Sequence, residues 1–355
     1  MKLEGKICVI TGAATGMGRA LAVQLAQKER AAGLAICDVN EKDLQETVRL
    51  ASENGVKCKV LSYLCDVSNK EQVYAWRDKV VADFGHVDLL FNNAGINANG
   101  RMVYGPNDDV KKFEAGWDRC FSIDFFGVLY CTRAFLPTLI SRPEAYLINT
   151  SSVNAFFTWA EHTAYTAAKH AVKGLTDSLL LELKVKAPHV KVALLHPGGV
   201  RTNIVNNMLD DDAADKDWGK MMFDQICDLS SEDAADWIVG AVKKDQYRVL
   251  VGYDAWCLDM LMRVFPTKAY SFYEQFGKEG FTANLMEPAQ SDEQLVGVGS
   301  FTRLMLAGLW TNVLFLSPMV LFKLRHFVVP RVALFGLGIG LVAKIGSMIS
   351  RHFQV

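Results

Sequence analysis

The chain has 355 residues, half of them hydrophobic, which is enough for one large domain or two modest ones with a sizeable core. Its 38 lysines and arginines nearly balance 39 aspartates and glutamates, so no net field recruits nucleic acid, and a nucleic-acid partner is excluded from the reading. The eight cysteines form no CxxC pair and no metal-ligand spacing appears, so they read as reduced and structural and no metal is expected.

The amino terminus runs from Met1 directly into an apolar strand, without the succession of a signal peptide, which predicts a main domain facing the cytoplasm. Up to about residue 252, short β-branched or apolar runs alternate with longer stretches of helical period. This is the pattern of a parallel sheet covered by helices on both faces. The predicted strands are 7–11, 34–38, 58–64, 87–92, 145–150, 190–195 and 248–252, and the clearest helix is 163–186, where Ala164, Ala167, Ala168, Ala171, Val172 and Leu175 recur on one stripe. Open sheets of this kind place ligands at the carboxyl ends of their strands.

The first strand ends in Thr11-Gly12-Ala13-Ala14-Thr15-Gly16-Met17-Gly18, followed by a helical stretch starting near Arg19. Such a glycine turn lets the backbone approach a pyrophosphate, and the helix behind it offers free N–H groups and the positive end of its dipole. An ordinary strand-to-helix turn has the same composition, so context must decide. Asp38, at the end of the second strand, supplies that context. A carboxylate there accepts the ribose hydroxyls and repels a 2′-phosphate, and Thr15, Val39 and Asn40 bring no compensating cation, so NAD(H) is favoured over NADP(H). A second glycine cluster, Gly336, Gly338 and Gly340, lies in an apolar tail with no preceding strand and reads as small residues easing helix contact.

Tyr165 and Lys169 stand four residues apart on the predicted helix 163–186, so both side chains share one face. The ammonium then favours the tyrosinate and lowers the phenol toward neutrality. Thirteen residues before the tyrosine, Ser152 closes the strand that ends in Ile148, Asn149, Thr150 and Ser151. Its hydroxyl is placed to hydrogen-bond a substrate oxygen as charge develops there. Any one of these features is an everyday surface contact; their agreement predicts hydride transfer between an alcohol and a carbonyl, with Tyr165 moving the proton.

With these residues in view, the first 280 or so positions resemble the short-chain dehydrogenase/reductase family. The family's TGxxxGxG corresponds to Thr11 through Gly18, its acidic-apolar pair to Asp66 and Val67, and its NNAG to Asn92, Asn93, Ala94 and Gly95. The serine and YxxxK correspond to Ser152, Tyr165 and Lys169, and the PG motif to Pro197 and Gly198, with Val200 and Thr202 following. The resemblance implies an α/β fold, a doubly wound parallel-sheet Rossmann-like domain. It implies that Asp66 and Val67 flank the adenine, that Asn92, Asn93, Ala94 and Gly95 support the cofactor cleft, that Thr202 contacts the nicotinamide amide, and that Lys169 also binds the nicotinamide ribose. A homo-oligomer is expected on the same ground. One position departs from the pattern: seven residues after Trp117, where the family usually has asparagine, stands Asp124. As a carboxylate it accepts a hydrogen bond from a relay water or pairs directly with Lys169, unless a shifted register makes it a capping or surface residue.

Phe156, Phe157 and Trp159, with Met208, Leu209, Trp218, Met221, Met222 and Phe223 in a segment read as a lid, suggest an apolar pocket and a lipophilic alcohol or ketone as partner. Trp218, Met221, Met222 and Ile226 equally fit one helical stripe packed on the domain. The histidines His162 and His196 need no catalytic role, because the tyrosine already supplies the proton. A catalytically silent nucleotide-binding or scaffold protein is the alternative function, carried only by the change at Asp124.

Three regions are expected: a catalytic domain over 1–286, a polar linker over 287–302 and an apolar, helical extension over 303–355. Residues 304–322 are 19 positions without a charge, close to the roughly 20 needed to cross a bilayer core. Cations at Lys323, Arg325 and Arg331 would fall at the tip of a spanning hairpin, on the wrong side for a cytosolic domain. The tail therefore reads as a monotopic or re-entrant membrane attachment, with Arg303, Lys323, Arg325, Arg331 and Lys344 at the headgroups; a buried subunit contact is the other reading.

Overall fold

The computed structural model describes residues 1–267, apart from 54, 99, 101, 104, 107–108, 159–161 and 203–228. Seven parallel strands form one sheet: β1 (Ile7–Thr11), β2 (Gly33–Asp38), β3 (Lys59–Leu64), β4 (Leu89–Asn92), β5 (Ala145–Thr150), β6 (Val190–Pro197) and β7 (Arg248–Val251), in the order β3-β2-β1-β4-β5-β6-β7. The helices are α1 (Gly16–Gln27), α2 (Glu41–Ala51), α3 (Lys70–Phe84), α4 (Val110–Cys120), α5 (Val128–Ile140), α6 (Thr163–Lys186), α7 (Ser231–Lys243) and α8 (Tyr253–Val264).

The period-two alternation of the strands divides the core into two layers. Cys8 and Ile10 of β1 and Leu34 and Ile36 of β2 meet α1, α2 and α7 on one face. Val9, Ala35 and Cys37 meet Trp76 of α3 and Phe135 of α5 on the other. Burial on both faces explains why the strands read as continuous apolar runs. This is the doubly wound Rossmann-like architecture expected, and the helix 163–186 forms with the bounds its stripe suggested. β4 is shorter than the predicted 87–92 because the Asp88 carboxylate takes the Ile7 amide at 2.9 Å, so the regular ladder begins with Cys8 opposite Leu89. The described cysteines are free thiols and buried; Cys227 lies outside the described residues.

The strand order reverses between β1 and β4, leaving a crevice at their carboxyl ends where helices leave on opposite faces. On its far side, the run from α4 to α5 is interrupted by a π-helical turn, Phe121–Gly127. The combined helix Val110–Ile140 is long and apolar enough to cross a membrane, but half of its most apolar window is buried, as in a core helix. The linker and tail over 287–355 and the lid side chains between Met208 and Phe223, with Ile226, lie outside the described residues.

Candidate active site

Two loops are tied together at the crevice. The buried Thr11 hydroxyl accepts from the amides of Asn93 (2.9 Å) and Ala94 (3.0 Å), and Asn93 Nδ2 donates to the carbonyls of Thr11 (3.1 Å) and Gly12 (3.2 Å). Gly12 has a left-handed φ of +66°, and a side chain there would meet the Ala94 Cα at 2.6 Å. A Cβ on Gly18 would lie 2.1 Å from the Gly12 carbonyl oxygen. α1 begins at Gly16, three residues before the position expected at Arg19, since these glycines allow the helix to start inside the loop. Its N-cap, Thr15, makes no side-chain cap, whereas Asn40, Asn69, Asp109 and Ser230 cap α2, α3, α4 and α7. The first amides of α1 are thus left for an anion.

At the end of β2, Asp38 is fixed by three backbone donors: Ala14 N (3.0 Å), Val39 N (2.8 Å) and Asn40 N (3.1 Å). After β3, Asp66 accepts from the Ser68 amide and hydroxyl, and Val67 is buried against Gly127. Asn92 is wholly buried and donates to Asn149 Oδ1 at 2.8 Å and Thr132 Oγ1 at 3.0 Å. It therefore ties β4 to β5 and α5 beneath the crevice, and Asn93 is the residue that holds the glycine loop. From β6, Thr202 reaches the glycine loop, its Cβ 3.2 Å from where a Gly16 side chain would start. Pro197 ends β6, Gly198 lies against the Asp254 carboxylate, which accepts from Gly199 N at 2.6 Å, and Val200 is buried and bridges to Leu229.

The predicted catalytic residues meet beside this cradle. Ser152 caps the short turn Val153–Ala155 that follows β5, and Tyr165 and Lys169 face it from α6. The Lys169 ammonium lies 3.4 Å from the Thr150 carbonyl, 3.4 Å from Asp124 Oδ1 and 5.4 Å from the Tyr165 ring centre. Asp124 is neither a cap nor a surface residue: it is fully buried in the π-helical turn, and Oδ1 also accepts from Ile96 N at 2.9 Å while Oδ2 accepts from Cys120 Sγ at 3.1 Å. Its carboxylate pairs directly with Lys169, one of the two roles open to it.

The charge balance differs from the expectation for the tyrosine. Burial raises the Tyr165 phenol; Lys169 and the Ser152 hydrogen bond pull it down, but Asp124 and Cys120 push it up, and the net direction is upward. Burial opposes the Lys169 ammonium, yet Asp124, Tyr165 and Cys120 together hold it above the ordinary lysine value. Burial pushes the Asp124 carboxyl up against the pull of Lys169, Cys120 and the Ile96 amide. Three donors converging on one carboxylate make it the anionic partner of the ammonium.

The profile of the short chain dehydrogenases matches residues 6–213, which span the glycine loop and all of these predicted catalytic residues. This chain belongs to the short-chain dehydrogenase/reductase family. The Mycobacterium tuberculosis protein SadH, named as an oxidoreductase, is 41% identical over 262 residues, 74% of this chain and 91% of that one. Epidermal retinol dehydrogenase 2 of Mus musculus is 34% identical over 203 residues, 57% of this chain and 62% of that one. A Burkholderia phymatum short-chain dehydrogenase/reductase, solved in complex with NAD, superposes with a TM-score of 0.64 at 27% identity, covering 78% of this chain and 96% of its own.

Within the short-chain dehydrogenase/reductase frame the residues present fit a dinucleotide: a cradle that any Cβ at Gly12 or Gly18 would fill, an uncapped helix terminus and a fixed carboxylate at Asp38. Four supporting residues escaped sequence reasoning. Ser151 Oγ donates to the Lys169 carbonyl at 2.8 Å, pinning α6 to β5. His196 donates from Nδ1 to the Ser152 carbonyl at 2.8 Å and, with burial as the main cause, its pKa falls to about 4, so it stays neutral. Cys120 and Asp254 are the others. No motif marks any of them; only the paired serine of Ser151-Ser152 hinted at a second role.

Phe156 does not line the catalytic centre as expected. Its ring packs on His196 at 5.2 Å and lies under the Arg248 guanidinium at 5.2 Å, because the turn after Ser152 directs it toward β7. Phe157 is buried, and Trp159 lies outside the described residues. The apolar residues packed with Tyr165 are Ile96, Ala98, Trp117, Phe121, Phe125 and Ala164, which form part of the buried core. The neutral His162 accepts from Asn97 and takes no part in the predicted catalytic group.

Proposed function

We propose that this chain is a nicotinamide-dependent oxidoreductase that interconverts a lipophilic alcohol and its carbonyl compound. The observation that carries the proposal is the meeting of Ser152, Tyr165 and Lys169 next to Gly95, one residue from the Ala94 that packs on Gly12 of the glycine cradle. A bound nicotinamide donates or receives the hydride. Tyr165 Oη gives its proton to the carbonyl oxygen in reduction and takes it from the alcohol in oxidation, while Ser152 Oγ hydrogen-bonds that oxygen. Lys169 places its ammonium beside the phenol and would hold the nicotinamide ribose. A pure binding module has no chemical need of this arrangement, which argues against the scaffold reading.

A lipophilic substrate is supported by the similarity to a retinol dehydrogenase. Purified full-length protein, assayed by nicotinamide absorbance against retinol, long-chain secondary alcohols, short alcohols and their carbonyl counterparts, should turn over the lipophilic members preferentially. Absence of turnover across the panel in both directions would remove the reading.

NAD(H) is the proposed cofactor, because Asp38 is fixed where the ribose hydroxyls would meet it and Arg19, a nearby cation, is committed to Thr47 and the Asp43 carbonyl, both at 3.0 Å. Asp38→Ala should reduce the preference for NAD(H) over NADP(H) by roughly tenfold. Calorimetry that finds tighter NADP(H) binding to the unaltered protein would contradict it.

Residues 303–355 are proposed to attach the chain to a membrane from the cytoplasmic side, delivering lipophilic substrate to a homo-oligomeric enzyme. Full-length protein should sediment with membranes and resist salt extraction, whereas a chain ending at residue 302 should be soluble and retain activity on dispersed substrate. Full-length protein that stays in the soluble fraction without detergent would assign the tail to a subunit contact instead.

A further inference from the structure

The catalytic group contains one negative charge that its chemistry does not require. Asp124 and Lys169 are 0% and 3% exposed, 3.4 Å apart, and the carboxylate is completed by the Ile96 amide and the Cys120 thiol. Gly95 packs against both members of the pair, where any side chain would crowd them: a Cβ there would lie 2.7 Å from Asp124 Oδ1 and 3.1 Å from Lys169 Nζ. The ammonium therefore has a carboxylate at contact distance inside a buried site. A lone cation beside the tyrosine would act as a full charge, but a contact pair acts as a dipole, whose field falls off faster.

We propose that the Asp124 carboxylate, in contact with Lys169, offsets part of the ammonium's charge as felt by Tyr165, so that the site works near neutral pH as a carbonyl reductase and oxidises alcohols efficiently only at alkaline pH. This rests on the proton role given to Tyr165 above. In reduction the carbonyl carbon gains the hydride and the carbonyl oxygen gains the Tyr165 proton. The products are the alcohol, the oxidised nicotinamide and a tyrosinate, which regains its proton from solvent through the Lys169 ammonium. Reduction thus needs the phenol and oxidation needs the phenolate.

The groups acting on Tyr165 among the described residues are Lys169 from its own helix, Asp124 from the π-helical turn, Cys120 from α4 and the Ser152 hydroxyl after β5. Burial opposes the phenolate most, Lys169 and Ser152 favour it, and Asp124 and Cys120 add to the opposition. The sign follows. A raised phenol keeps reduction on its plateau to higher pH and delays the rise of oxidation. Removing the Asp124 charge must move both limbs downward.

Asp124→Asn is nearly isosteric and keeps an acceptor for the Ile96 amide. Its Tyr165 titration, read as the ultraviolet tyrosinate band that vanishes in the matching Tyr165→Phe protein, should fall by about one pH unit or more relative to the unaltered chain. With a carbonyl from the panel, the pH at which reduction declines should fall by the same amount. An unchanged or raised Tyr165 titration overturns the proposal. Asp124→Ser, which also lacks the charge, is read in the same way should the asparagine variant not fold. The spectroscopic reading needs no substrate, so a shifted tyrosine without turnover would overturn the proposed function and the reductase assignment with it, while an unshifted tyrosine with turnover would overturn the role of Asp124 alone.

Discussion

Replacing Tyr165 by phenylalanine is expected to lower turnover by about two to four orders of magnitude while the nicotinamide dinucleotide still binds. The substitution removes one oxygen. The ring remains, with its packing against the Ala98, Cys120, Ala164 and Ala168 cluster and with the Lys169 ammonium beside it, so neither α6 nor the cradle has reason to move. What disappears is the proton carried to the substrate oxygen and the hydrogen bond with Ser152. Single-turnover kinetics should place the loss in the chemical step, and calorimetry should return a dissociation constant for the dinucleotide within a few-fold of the unaltered chain. Turnover near that of the unaltered chain would mean that another group moves the proton. His162 would not be that group, since burial holds it neutral and it is engaged with Asn97.

What could be read in advance follows the range of the forces. The strands were legible because both faces of the sheet are buried, so each strand shows as an apolar run whatever its neighbours. The Tyr165/Lys169 pair was legible because a helix fixes the geometry of residues four apart. Asp124 was flagged by its departure from a pattern, but whether it met a water or the ammonium depended on the π-helical turn that presents it, which has no sequence signal. The direction of the Tyr165 shift was missed for a related reason: the i,i+4 argument counts the one charge nearby in sequence, whereas burial and the Asp124 charge come from other parts of the chain. His196 reaches the Ser152 carbonyl across 44 positions and Asp254 reaches Gly199 across 55, so neither leaves a local trace. Phe156 was assigned to the substrate by proximity in sequence to Ser152, yet one turn of backbone sends its ring to Arg248. The cradle lies between these extremes, since its glycines are visible in the sequence while the reason for each is a contact.

That reason gives the second large effect: Gly18→Ala should weaken dinucleotide binding. The new Cβ would start 2.1 Å from the Gly12 carbonyl oxygen, 2.7 Å from Asn93 Nδ2 and 2.9 Å from the Gly12 carbonyl carbon. Two of these are backbone atoms, which cannot rotate away, and the third is the amide that holds the Thr11 and Gly12 carbonyls in place. Either the glycine loop or α1 must shift, at a cost of about 1–3 kcal/mol typical of overpacking. Because the same loop is to receive the pyrophosphate, a comparable penalty falls on the complex, and affinity should drop by roughly tenfold to a hundredfold. Gly174→Ala is the matched control, a glycine inside α6 where a Cβ meets nothing within 4 Å. It should be neutral or stabilise by about 0.5–1 kcal/mol, as expected for alanine in a helix interior. Thermal melting and calorimetric titration of the two variants separate a general sensitivity to added methyl groups from a specific one. Dinucleotide affinity in Gly18→Ala equal to that of Gly174→Ala would show that the ligand is held elsewhere than at the loop between β1 and α1.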